Sequence, residues 1–125
     1  MNVLVVDDSE AIRGLLADAL PLCYPAPPWE RVNVFTCHDG LSAWQAMENE
    51  YNTFDLVVTD YEMPGIIDGL ELTKRVKTYC RIPVIVMSGH HNIETSALEA
   101  GADGFLKKPF KLEELREAIR QVFSF

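Results

Sequence analysis

Short apolar runs alternate along the chain with stretches of helical periodicity. Val3–Val6, Val32–Thr36, Leu56–Thr59, Val84–Met87 and Gly104–Leu106 are rich in β-branched and aromatic residues and predict strands. Ser9–Leu20 carries Ile12, Leu15, Leu16, Ala19 and Leu20 at helical spacing, with Ser9 placed as N-cap and Glu10 in the first turn. Pro21 is expected to end that helix, and Pro21–Glu30, with Pro25, Pro27 and Pro28, reads as an irregular connection. Further helices are predicted over Leu41–Asn49 (Ala43, Trp44 and Met47 inward), Gly69–Tyr79, Asn92–Ala100 and Phe110–Phe123. The last is amphipathic through Leu112, Leu115, Ile119 and Val122. Asp39-Gly40, Met63-Pro64-Gly65 and Asp68-Gly69 mark turns, and Gly101 is a natural helix C-cap.

Strands alternating with helices predict an α/β fold: a doubly wound (βα)5 parallel sheet with helices on both faces and right-handed crossovers. Sites in such sheets form beyond the carboxyl ends of the strands. That rule gathers Asp7, Asp8, Asp60, Ser88 and Lys108. Three carboxylates at one sheet end repel one another, so the cluster suits a divalent cation. A lysine beside it suits an anion. A metal and an anion at an aspartate point to phosphoryl chemistry.

Length and charge narrow the picture. At 125 residues the chain is read as one domain, 1–125, with 48% hydrophobic content. Lys and Arg number 11 against 19 Asp and Glu, a formal net charge of −8. That balance disfavours nucleic acid and anionic membranes as partners. No secretory leader and no membrane span are expected. Cys23, Cys37 and Cys80 lack C-x-x-C spacing and read as small buried or half-buried thiols in a reducing, cytoplasmic setting. His38, His90 and His91 show no ligand spacing and read as exposed loop histidines, although His90 lies near Ser88 and bears on water access.

Five fragments, in order, carry a resemblance: L-V-V-D-D-S at 4–9, V-V-T-D-Y-E-M-P-G at 57–65, D-G-L-E-L at 68–72, P-V-I-V-M-S-G at 83–89 and A-G-A-D-G-F-L-K-K-P-F at 100–110. Together they resemble the receiver domain of two-component response regulators over essentially the whole chain. The resemblance implies a flavodoxin-like three-layer sandwich with strand order 2-1-3-4-5. It implies that Asp60 is the phosphoacceptor, a carboxylate nucleophile that forms an acyl phosphate. Asp7 and Asp8 would hold Mg2+ with Asp60, Asp8 directly and Asp7 partly through water, and Glu62 would add its backbone carbonyl. Lys108, before Pro109 in a bond usually cis in the family, would pair with phosphoryl oxygens, leaving Lys107 as a surface charge. Ser88 would bond a phosphoryl oxygen. Phe105 occupies the aromatic switch position, where packing alone must drive any change. Implied partners are a sensor histidine kinase or histidine phosphotransfer protein and an output domain or target. The helix-four, strand-five and helix-five surface is the family's output face, and homodimerisation through it stays open.

Some features depart from the pattern. The 63–69 loop, with Ile66-Ile67, is one residue longer than the usual form, the Pro-rich connection is also longer, and the Ser88–Lys108 interval is slightly short. Two other readings compete. A haloacid-dehalogenase-type phosphatase needs a second Asp two residues after its first-strand nucleophile, where this chain has Ser9. A receiver fold that is never phosphorylated and serves only for interaction is the alternative within the same architecture.

Overall fold

The computed structural model describes residues 1–24, 31–50, 52–90 and 92–123. Ten elements follow in strict alternation: β1 Asn2–Val6, α1 Glu10–Cys23, β2 Asn33–Cys37, α2 Gly40–Glu48, β3 Leu56–Asp60, α3 Gly69–Tyr79, β4 Val84–Ser88, α4 Ile93–Glu99, β5 Gly104–Lys107 and α5 Leu112–Phe123. All strand pairs are parallel and the order is β2-β1-β3-β4-β5. This is the doubly wound (βα)5 architecture and strand order expected from the sequence.

Alternation along the strands builds two cores. Val3, Val5, Val58, Ile85 and Met87 face one side and pack with Leu16 and Leu20 of α1 and Leu115 and Ile119 of α5. Leu4, Val6, Val57, Val84 and Val86 face the other and pack with Ala43, Leu72, Val76 and Ala97 of α2, α3 and α4. Both faces are therefore dry, which is why β1, β3 and β4 read as unbroken apolar runs. The edge strand β2 is more exposed.

Helix ends follow local chemistry. Side chains of Ser9, Asp39 and Asp68 accept the backbone N–H of Ile12, Ser42 and Glu71 and cap α1, α2 and α3. Gly101, at φ 103, closes α4 in the left-handed region.

Several expectations need correction. Pro21 does not end α1; the helix runs on to Cys23 with the proline inside it. A proline this close to a C-terminus removes one backbone bond, and burial of Leu20 and Cys23 in the core holds the last turn in place. The residues 25–30 of the Pro-rich connection, and His91, lie outside the described residues. β2 sits one residue later than predicted, and α5 starts at Leu112 rather than Phe110. Leu15 is 51% exposed, because the strip that α1 buries is centred on Leu16 and Leu20. β3 and β4 each extend one residue past the predicted runs; Ser88 ends β4, as expected, and Asp60 is the last residue of β3.

Candidate functional site

Register brings the site together. Val6 pairs with Thr59, so Asp7 and Asp60 follow on adjacent strands. Asp60 pairs with Met87, and Ser88 comes next; Ser88 pairs with Lys107, and Lys108 comes next. The backbone N–H of Lys108 donates to the Ser88 carbonyl at 2.8 Å, and the Lys108–Pro109 bond is cis. Adjacent parallel strands thus bring Asp7, Asp60, Ser88 and Lys108 to the same end of the sheet.

Lys108 is the hub. Its Nζ donates to Asp7 Oδ2 at 2.8 Å and to Asp60 Oδ1 at 3.1 Å. Asp7 is fully buried, and its other oxygen accepts the N–H of Ser9 at 2.9 Å. Both Asp7 oxygens are therefore engaged, whereas Asp8 is exposed. Carboxylate oxygens of Asp7, Asp8 and Asp60 all lie within 4.8 Å of one another. Burial pushes the Asp60 carboxyl above its usual range, and the charge of Asp7 adds to this against the opposing pull of Lys108. Burial lowers Lys108, but hydrogen bonds and charges from Asp7 and Asp60 outweigh it and hold the ammonium firmly protonated.

Ser88 is buried, and its Oγ accepts the N–H of His90 at 3.0 Å. It lines a cavity of about 280 Å3 together with Asp8, Asp60, Glu62, Gly89, His90 and Lys108. At its rim the His90 Nε2 meets Glu62 Oε1, so His90 is exposed but paired. His38 likewise pairs with Asp39. Phe105 does not reach this cavity; it is half-buried on the α4 side of the sheet and lines a neighbouring cleft with His90, Glu94 and Lys107. Lys107 is exposed, as expected. All three cysteines are free thiols, each pushed up chiefly by burial.

Some contributors escaped the sequence reading. Arg13, one turn into α1, donates to the Asp7 carbonyl at 2.8 Å. Gly69 lies where a Cβ would come within 2.1 Å of the Asp60 carbonyl oxygen, so only glycine lets α3 begin against the end of β3. Its place in Asp68-Gly69 signalled a turn, but a close approach to a distant strand has no local signature. The His90–Glu62 contact joins two loops and has no sequence spacing to betray it.

The response regulator receiver domain model matches residues 3–120. The chain belongs to the response regulator receiver family. The receiver is 33% identical over 123 residues to the response regulator MprA of Mycobacterium avium, covering 96% of this chain and 50% of that protein. It is 32% identical over 128 residues to the two-component response regulator-like protein PRR37 of Oryza sativa subsp. indica, covering 98% of this chain and 16% of that protein. The receiver thus spans half or less of the length of these relatives. Among solved structures it resembles the chemotaxis response regulator CheY4 of Vibrio cholerae, with TM-score 0.80, 27% identity and 97% of each chain covered. Receivers are signalling domains rather than classical enzymes, work with kinase partners and output domains, and typically use Mg2+. The oxygen-only donor set of Asp7, Asp8 and Asp60, with one member open to solvent, fits that ion. No helix among the described residues is long and apolar enough to cross a membrane.

Proposed function

We propose that residues 1–125 act as one phosphoacceptor switch, with Asp60 receiving a phosphoryl group from a phosphohistidine on a sensor kinase or phosphotransfer protein. The bridging of Asp7 and Asp60 by Lys108, at 2.8 and 3.1 Å beside the open Asp8, is the observation that carries this reading. An Asp60 oxygen attacks phosphorus in line, the P–O bond forms as the P–N bond breaks, and the departing imidazole takes up a proton. Lys108 then exchanges its carboxylate contacts for phosphoryl oxygens. Ser88 turns its hydroxyl from the His90 N–H toward the same group. Asp8, Asp60 and the Glu62 carbonyl would hold Mg2+ directly, with Asp7 partly through water. When bound, the ion neutralises charge on the phosphoryl oxygens.

Phosphorylation biases a pre-existing equilibrium, with Ser88 and Phe105 as switch residues and the α4, β5 and α5 surface as output. The domain promotes its own phosphorylation and slow dephosphorylation. Three free thiols and the acidic surface support a cytoplasmic site of action without nucleic acid or membrane contact by this domain.

Incubation with acetyl phosphate and Mg2+, followed by intact mass, tests the reading. A single phosphate adduct that disappears in Asp60→Asn is expected. No adduct in the unsubstituted chain would favour an interaction-only module. Turnover of a small phosphomonoester lost in Asp7→Asn yet kept in Asp60→Asn would instead mark a phosphatase.

A further inference from the structure

The loop between β3 and α3 carries one outward residue directly before an anchored one. Ile66 is 95% exposed, the most exposed of the large apolar side chains among the described residues. Its neighbour Ile67 is only 4% exposed and packs in the core with Leu4, Ala43 and Met63. A Cβ on Gly40 would lie 2.0 Å from the Ile67 carbonyl oxygen, so that glycine lets α2 close onto the loop. Gly65, at φ 97, turns the chain outward just before Ile66. Met63, Pro64 and Asp68 line a cavity of about 460 Å3 with Asp8, Tyr61 and Glu62. That cavity adjoins the one holding Asp60, Ser88 and Lys108, with Asp8 and Glu62 lining both, and Ile66 lies in the chain between its wall residues Pro64 and Asp68.

With the next residue anchored in the core, the backbone at Ile66 has less freedom to lose when the side chain is covered, so less of its burial is offset on binding. The neighbouring chemistry names what covers it. In-line attack by Asp60 needs a phosphorylated imidazole inside the cavity that Asp60 lines, and an imidazole carried on a protein brings that protein's surface over the adjoining wall. Asp8, Glu62 and Asp68 make this wall acidic. We propose that Ile66 is a docking contact for the protein phosphodonor, packing against an apolar patch that flanks the donor's phosphohistidine and is edged by basic groups. This inference rests on the phosphoacceptor reading of Asp60. The lengthening of the loop by one residue makes Ile66 a feature that distinguishes donors for this chain, apart from the chemistry.

The test compares a small donor with a protein donor on the same variants. Phosphoimidazole presents the reacting group alone. A phosphorylated histidine phosphotransfer protein, chosen because it loads the unsubstituted chain, presents group and surface. In Ile66→Ser and Ile66→Asp, transfer from the protein at subsaturating concentration should fall about tenfold, the scale of losing one apolar interface contact. Transfer from phosphoimidazole and the melting temperature should stay unchanged, and Ile66→Leu should keep the full rate. Equal rates from the protein donor in all variants overturn the inference, as does a matching fall with phosphoimidazole, which would place Ile66 in the site wall. Loss of self-association with unchanged transfer assigns the contact to a second copy and also overturns it. An unsubstituted chain that phosphoimidazole cannot load overturns the phosphoacceptor reading itself, a result separate from any of these.

Discussion

Asp60 occupies a position where its charge is penalised in the resting fold. Burial and the charge of Asp7 raise its titration more than Lys108 lowers it. A carboxyl raised in this way stabilises the fold fully when protonated, below about pH 4, and that contribution is lost as pH rises through the raised folded value. Asp60→Asn should therefore melt a few degrees higher than the unsubstituted chain at neutral pH in EDTA. The gap should shrink toward acid pH; a gap independent of pH would show that the Asp60 charge is not its source. His90 acts at the rim, where its ring meets Glu62 over the cavity. His90→Ala opens this rim to water, and the aspartyl phosphate should decay several-fold faster, read as loss of the adduct by intact mass. An unchanged lifetime would place the pair outside the path of water.

At the scale of elements, the site depends on how closely α3 approaches β3. The Asp68 cap and the bare backbone of Gly69 start the helix directly against the Asp60 carbonyl, and the Gly69 N–H donates to the Tyr61 carbonyl at 3.0 Å. Gly69→Ala puts a methyl group where no atom fits, since the nearest atoms are backbone of Asp60 and Tyr61 and cannot swing away. A loss of about 2 kcal/mol is expected from such overpacking, measured by urea unfolding, together with slower phosphorylation by acetyl phosphate. The same substitution at Gly14, where nothing lies within 4 Å, is the control and should be neutral or stabilising.

Across the whole molecule, β1, β3 and β5 converge on one cluster of charge, so an ion there should stabilise the entire fold. Melting temperature should rise with Mg2+ concentration as mass action requires, and Asp8→Asn should abolish most of that rise while Ca2+-free EDTA restores the starting value. An equal shift in Asp8→Asn would assign the ion elsewhere. Much of this molecule was legible in the chain itself. Buried strands announce themselves as β-branched runs, amphipathic helices by their period, and the carboxyl-end rule then collects Asp7, Asp8, Asp60, Ser88 and Lys108, because these signals are local or follow from topology. The tertiary structure alone decided that α1 runs through Pro21, that Lys108 bridges Asp7 and Asp60, that His90 closes on Glu62, that Gly69 admits α3, and that Ile67 turns inward while Ile66 turns out. Each of those outcomes is settled by packing between segments far apart in sequence, where steric room and burial outweigh any local preference.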